Sequence, residues 1–152
     1  MRPWVWLRGL AVVLAMFTVG HTLGTAAPRV TRGEEQRLVV AAMQDHHFPV
    51  MGYERSYWDF YRGFAFTISA LLAMMTAIAW QLAAISRRSA RQALPMTVSL
   101  LVGCAALLAL SQLFFFGGPV LMSAVAMACA VVALVAVARR AGQERLAEPA
   151  TA

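Results

Sequence analysis

The sequence predicts an all-α fold, an antiparallel bundle of four transmembrane helices with a short amphipathic helix in the first outer loop. Hydrophobic residues make up 61% of the 152 residues, and the mean hydropathy is +0.66, well above an average soluble protein. Four nearly uncharged apolar runs each approach the ~20 residues that cross a bilayer core. They lack the two-residue alternation of barrel strands, so helices are expected.

One membrane domain is predicted over residues 1–152. We expect spans at about 4–24, 64–85, 94–116 and 120–138, an outer loop at 25–63 and a cytoplasmic tail at 139–152. Arginines cluster at the ends of these runs, whereas the first outer loop balances its arginines with acidic residues. The positive-inside rule then puts both termini in the cytoplasm.

The net charge of +6 would suggest nucleic acid in a soluble protein. Here the arginines flank apolar runs, so they are interpreted as topology signals, and the bilayer rather than nucleic acid is the expected partner. All thirteen basic residues are arginine. This bias, with abundant alanine and valine, is typical of a bacterial gene of high GC content, and it predicts the bacterial inner membrane as the location.

The first apolar run has a second interpretation. A basic start followed by Thr25-Ala26-Ala27 before Pro28 also resembles a secretory signal with a small-residue cleavage site. A retained span is favoured because the run is long enough to cross a membrane at about 1.5 Å per residue. Cleavage remains the alternative.

Redox and metal chemistry find little support in the sequence. Cys104 and Cys129 fall within spans and form no C-x-x-C pattern, so packing is expected. Asp45-His46-His47 is interpreted as a hydrophilic helix end, because adjacent histidines on a helix point about 100° apart. No metal or cofactor is predicted. The spans contain no Asp, Glu or Lys, which argues against a transporter with a buried proton relay.

Small residues are expected at helix seams, since close packing drives helix association in lipid. Gly20 and Gly24 have G-x-x-x-G spacing in the first span. The other seam candidates are Ala70, Ala73 and Ala77 in the second span, Gly103 and Ala106 in the third, and Ser123, Met127 and Ala130 on one side of the fourth.

The outer loop begins with a capping-box pattern, Thr31 to Glu34. It predicts a short helix from Glu34 to about Met43, amphipathic enough to rest on the bundle or the membrane surface. We expect this helix to act as a lid over the outer end, with admission of a lipid or other apolar ligand as the alternative.

The segment 53–64 carries the densest pattern, and we interpret it as a helix leading into the second span. Its tyrosine stripe is Tyr53, Tyr57 and Tyr61, and its charged stripe is Arg55, Asp59 and Arg62. On a helix, Asp59 would pair with both arginines. The cluster would keep a net positive charge able to bind a lipid phosphate or a carboxylate. Interfacial anchoring by the aromatic rings is the structural alternative.

His21 is the polar residue that topology puts nearest this cluster, because consecutive antiparallel helices are usually neighbours. An intramembrane His is a functional candidate, although a lone one often serves only as an interhelical hydrogen-bonding group. The ligand-binding candidates are His21, Arg55, Tyr57, Trp58, Asp59, Tyr61 and Arg62.

Gly20-His21-Thr22 together with the motif Ser56-Tyr57-Trp58-Asp59-Phe60-Tyr61-Arg62-Gly63-Phe64 resembles a family of small, uncharacterised bacterial four-helix membrane proteins. The likeness covers roughly the first half of the chain. In layout alone the chain is also similar to the DoxX-like proteins. Neither resemblance implies an activity, substrate or cofactor.

Three functions follow as hypotheses. The first is a non-catalytic membrane protein that binds a lipid, another amphiphile or a partner protein at its outer end. The second is a membrane enzyme for an apolar substrate, with His21 or Asp59 as acid or base. The third is a structural subunit of a membrane complex.

Overall fold

A computed structural model describes residues 2–28 and 30–147. In chain order the elements are α1 (Pro3–Ala26), α2 (Glu34–Asp45), β1 (His47–Val50), β2 (Tyr53–Ser56), α3 (Tyr57–Arg88), α4 (Ala90–Phe114) and α5 (Gly117–Ala147). The predicted all-α class is confirmed, with one small β-hairpin added. Helices α1, α3, α4 and α5 are each long and apolar enough to cross a membrane, as expected of a multi-pass membrane protein.

The long helices extend beyond the predicted spans, most of all at the end of α5. The segment predicted as a tail from residue 139 is helical as far as Ala147, where α5 ends. Glu144 explains the extension, since its carboxylate accepts hydrogen bonds from the backbone N–H of Ala90 and Arg91 at 3.0 and 3.1 Å. The last turns of α5 therefore cap the start of α4. Residues 148–152 lie outside the described chain.

The chain divides into two compact units, Met1–Phe17 with Leu72–Ala152, and Thr18–Leu71. In the first unit, α1 buries Leu7, Leu10 and Leu14 completely, at the three- and four-residue spacing of one helix face. The opposite face of the same helix exposes Val5, Val12 and Met16. A helix that is apolar on both faces matches a lipid environment.

Helices α4 and α5 of this unit meet through small residues. The buried positions of α5 are Ser123, Ala126, Ala130, Ala133, Ala136, Val137 and Ala141, and those of α4 include Ala90, Ala93, Thr97 and Cys104. The seam prediction is confirmed for Ser123 and Ala130, which are buried, whereas Gly103 and Met127 are half-buried. It is wrong for four alanines that are exposed, Ala106 of α4 and Ala70, Ala73 and Ala77 of α3. Small side chains let two backbones approach closely, which maximises dispersion contacts where the hydrophobic effect is absent.

The second unit holds the end of α1, helix α2, the hairpin and the start of α3. The G-x-x-x-G seam predicted in α1 is not formed, because Gly20 and Gly24 are exposed and a Cβ on either would meet no atom within 4 Å. Helix α2 forms as predicted but buries no residue. Leu38 and Val39 are more than half exposed, so the lid expected from the sequence covers nothing in this unit.

Helix α2 also begins differently from the prediction. Gly33 is the N-cap residue, with φ of 95° and no side-chain capping bond, so the Thr31–Glu34 capping box is wrong. Glu34 instead bonds to Arg37, one turn along the same helix. This pairing lowers the pKa of the Glu34 carboxyl, because the guanidinium stabilises its charged form.

Candidate ligand-binding site

The site is built on the β-hairpin of the second unit. Strands β1 and β2 are joined by Met51 and Gly52, which have φ values of 50° and 87°. Positive φ at both central residues is the type I′ arrangement that suits a two-residue hairpin. Glycine adopts it readily, whereas a methionine there is strained. The sequence gives only a weak signal for this hairpin turn, because Asn or Asp is the usual residue at the position that Met51 occupies.

The hairpin has one face directed toward α3. Register pairs Val50 with Tyr53 and Phe48 with Arg55, and directly paired residues of an antiparallel ladder share a face. Phe48 packs 4.8 Å from the ring of Tyr57, measured between centroids, and 6.2 Å from Phe60. These aromatic contacts hold the hairpin against the first turns of α3.

Helix α3 starts at Tyr57, and a reciprocal capping pair fixes that start. The backbone N–H of Ser56 donates to Asp59 Oδ2 at 2.9 Å, and the N–H of Asp59 donates to Ser56 Oγ at 3.2 Å. This is a capping-box arrangement with aspartate in the usual glutamate position. The helical interpretation of 53–64 is therefore wrong before Tyr57, since Tyr53 and Arg55 lie on strand β2.

The predicted Arg–Asp–Arg cluster does not form. Among the described residues Asp59 makes no ion pair with either arginine, because its carboxylate serves the helix start. The Arg55 guanidinium donates to the carbonyl of Glu54 at 2.8 Å and lies 5.2 Å from the Tyr53 ring centroid. The Arg62 guanidinium lies 5.6 Å from the ring of Phe66. Because Arg55 lies on strand β2 and Arg62 on helix α3, the two guanidinium groups make separate contacts.

A groove of about 470 Å³ opens between the hairpin and α3. Its lining residues are Val50, Met51, Tyr53, Arg55, Asp59, Phe60, Gly63, Phe64 and Thr67. The wall is mostly apolar, and its charged groups are Arg55 on β2 and Asp59 in the first turn of α3. Thr67 is ten residues into α3, about 15 Å along the helix axis from Tyr57 at 1.5 Å per residue. The groove therefore follows the helix inward from its capped end.

Of the seven predicted candidates, the groove contains only Arg55 and Asp59. Tyr57 belongs to the aromatic contact with Phe48, and Trp58 stacks on Tyr61 at 5.4 Å. Rings at the start of a membrane helix suit the interfacial anchoring considered above.

His21 lies away from this groove. Its Nδ1 is 3.0 Å from Ser69 Oγ, and Ser69 is seven residues beyond Arg62, about 10 Å along α3. The predicted meeting of His21 with Asp59 and Arg62 is therefore wrong. A serine hydroxyl beside an imidazole is the minimum pair for nucleophilic catalysis. No described carboxylate orients this imidazole, however, so the contact acts as an interhelical hydrogen bond.

The two histidines of the Asp45-His46-His47 segment have separate contacts. The His46 ring lies 6.3 Å from that of Tyr57, and Nδ1 of His47 is 3.1 Å from the carbonyl oxygen of Asp45. Within residues 2–28 and 30–147, no three His, Cys, Asp or Glu side chains converge as a metal site.

No protein-family model, curated protein or solved structure matches the chain. The site is therefore interpreted through its own chemistry.

Several residues that build the site were not predicted from the sequence. Phe48, Val50, Met51 and Gly63 were placed in the outer loop without a ligand-binding role, and Phe64 at the start of the second span. One signal was available, because Ser56 to Asp59 has the S-x-x-D spacing that marks a helix start.

Proposed function

We propose that this multi-pass membrane protein binds an amphiphilic ligand in the groove between the β-hairpin and α3, with an apolar chain along the helix and an anionic head group at Arg55. The observation that carries the proposal is the groove's composition. It has a long apolar wall, made in part by Val50, Phe60 and Phe64, and a cation at its hairpin side. Its volume of about 470 Å³ lies in the range of small-molecule sites.

The groove contains one cation and one carboxylate, Arg55 and Asp59, so the preference for an anionic head group rests on the free hydrogen-bond donors of Arg55. The Asp59 carboxylate is occupied by the Ser56 N–H, whereas Arg55 uses one N–H for the Glu54 carbonyl and stacks on Tyr53. A guanidinium has five N–H donors in its plane, so stacking and one bond leave donors for a phosphate or carboxylate. A lipid head group and a free fatty acid share that chemistry.

The surroundings suit a ligand that arrives from the membrane. Helix α3 continues from the groove into an apolar segment, and Trp58 and Tyr61 are interfacial residue types. We place this end on the outer side of a bacterial inner membrane and both termini in the cytoplasm. The support for that orientation is the arginine distribution, which follows the positive-inside rule. Kinship with the small four-helix family that the chain resembles belongs to the same proposal.

The enzymatic alternative has less support. That hypothesis gave His21 or Asp59 the role of acid or base, whereas the His21 imidazole is hydrogen-bonded with Ser69 and the Asp59 carboxylate caps α3. A structural subunit is the other alternative, and it predicts a protein rather than a lipid in the groove. Photo-crosslinking separates these possibilities.

The experiment uses a fatty acid that carries a diazirine in its chain, added to the full-length protein in mild detergent. Peptide mapping should find the label on the hairpin and on the segment 60–67. Arg55→Gln should lower labelling about tenfold, as expected for loss of a charge-assisted hydrogen bond. Arg62→Gln is the matched control, because Arg62 does not line the groove, and it should label like the wild type.

A second pair of variants tests the apolar wall without changing charge. Gly63 lines the groove, and a Cβ there would meet no atom within 4 Å. Gly63→Leu should therefore fill the groove and block labelling, while Gly20→Leu, equally open and outside the groove, should not. Equal labelling of all four variants, or label outside the hairpin and 60–67, would refute the proposal. Recovery of a stoichiometric protein partner with no lipid would favour the subunit instead.

A further inference from the structure

Four side chains of the first unit form a cluster in which two arginines contact two tryptophan rings. The Arg8 guanidinium lies 5.3 Å from the Trp4 ring centroid and 5.1 Å from that of Trp80, and the Arg87 guanidinium lies 5.2 Å from Trp4. All three distances fall within the cation–π range of about 6 Å. We call these residues, in the order Arg87, Trp4, Arg8 and Trp80, the Arg–Trp ladder.

The ladder follows from the helix geometry. Trp4 and Arg8 are four residues apart on α1, and Trp80 and Arg87 are seven apart on α3, so each pair shares a helix face. The two segments run in opposite directions, which brings the end of α3 beside the start of α1. Arg87 therefore meets Trp4, and Arg8 reaches deeper to Trp80.

The guanidinium groups of Arg8 and Arg87 keep hydrogen-bond donors for a ligand. Each group carries five N–H donors, and a cation–π contact with a ring forms no hydrogen bond to an oxygen acceptor. Within the described chain, no protein acceptor bonds to the guanidinium of Arg8 or Arg87, and neither forms an ion pair. Both side chains are exposed, as is Trp80. Two cations with open donors thus stand beside indole rings typical of the membrane interface.

The described residues of the first unit carry a large excess of positive charge. They include eight arginines, namely Arg2, Arg8, Arg87, Arg88, Arg91, Arg139, Arg140 and Arg145, and a single carboxylate, Glu144. Glu144 already accepts from two backbone N–H groups and from Arg140. Arg8 and Arg87 are therefore open to an external anion.

We infer that the Arg–Trp ladder is a binding site for an anionic phospholipid, with the lipid phosphate held by the N–H edges of Arg8 and Arg87. Arginine's fork matches phosphate oxygens in pairs. The site is separate from the hairpin groove and does not depend on its ligand. A lipid is the expected source of the phosphate because α1 and α3 both continue from the ladder as apolar helices, along which acyl chains can lie.

The test is native mass spectrometry of the full-length protein equilibrated with equimolar phosphatidylglycerol and phosphatidylcholine of identical acyl chains. The wild type should retain phosphatidylglycerol selectively. Arg8→Gln with Arg87→Gln should reduce that retention about tenfold, the loss expected for charge-assisted hydrogen bonds. Arg2→Gln with Arg145→Gln removes the same charge from the same unit outside the ladder, and it should retain the lipid like the wild type.

A charge-conserving variant distinguishes a specific loss of lipid binding from misfolding of the protein. Arg8→Lys with Arg87→Lys keeps both positive charges but loses the planar fork, so it should show an intermediate loss, with circular dichroism as the check on helix content. Equal retention of the two lipids would overturn the inference, as would equal losses in the two glutamine pairs. Displacement of the lipid by millimolar glycerol phosphate would also overturn it, because the ligand would then be a free phosphate.

Discussion

Replacing Glu144 by alanine should loosen the start of helix α4 while leaving the rest of the chain folded. In the native protein the Glu144 carboxylate accepts from the N–H groups of Ala90 and Arg91 at 3.0 and 3.1 Å, and from Arg140 Nε at 3.3 Å. The first N–H groups of a helix have no partner within the helix. Ala90 is fully buried, so water replaces the lost acceptor poorly.

The expected cost is about 1–2 kcal/mol, the range for removal of an N-cap acceptor. Hydrogen bonds to a carboxylate are stronger than neutral ones, but 27% of the Glu144 side chain is exposed, and solvent screening reduces the contribution of the charge. A change of 1–2 kcal/mol alters a local opening equilibrium about 5- to 30-fold.

Amide hydrogen exchange measures that opening directly. In Glu144→Ala the amides of Ala90 and Arg91 should exchange about 5- to 30-fold faster. The amide of Gln92 is an internal control, because it donates to Ser89 Oγ at 3.3 Å, and Glu144→Gln, which keeps one carbonyl acceptor, should show a smaller effect. Unchanged exchange at Ala90 and Arg91 would refute the capping role, and an equal rise at all three amides would show general destabilisation instead.

Two further predictions concern the second unit. Ser69→Ala should lower the free energy of unfolding in denaturing detergent by about 0.6 kcal/mol, the average for an interhelical hydrogen bond in a membrane protein, because His21 loses its partner. Ser99→Ala is the control, since it removes only a bond to its own helix. Equal unfolding midpoints of the two variants would contradict the role of Ser69. Acidification should weaken helix α2. Pairing with Arg37 lowers the pKa of the Glu34 carboxyl below its ordinary value of 4.5. The pairing therefore stabilises α2 fully above pH 4.5, and this stabilisation is lost as the pH falls through the lowered pKa. Nuclear magnetic resonance shifts of α2 amides should report this loss, and an unaltered response in Glu34→Gln would assign it to another group.

The local pattern of the sequence was sufficient to predict the helices. Apolar length and the scarcity of charge are properties of consecutive residues, and they identified all four long helices. Helix α2 was identified by its amphipathic pattern and by a capping box that does not form. The helix ends were less predictable. Thr31 to Glu34 and Ser56 to Asp59 both carry capping-box spacing, yet only the second pair forms, because Gly33 takes the N-cap position of α2.

The candidate site was only partly predictable, because its residues come together through contacts between separate segments. Arg55, Asp59 and Arg62 were singled out as unusual charges beside a membrane span, but their grouping assumed a continuous helix. Whether residues 47–56 form a hairpin depends on the contact of Phe48 with Tyr57 and Phe60. That contact joins residues nine and twelve positions apart, beyond the reach of helical or strand periodicity.

What the sequence determined by itself is the membrane class, the number of long helices and their approximate bounds, since lipid permits few backbone arrangements and each apolar run is long enough to span. The tertiary structure decided which polar groups meet. It pairs His21 with Ser69, commits Asp59 to a helix cap, separates Arg55 from Arg62 and interleaves Arg8 with two indole rings. Such pairings depend on the relative depth and rotation of neighbouring helices, which distant packing contacts set and which no single segment encodes.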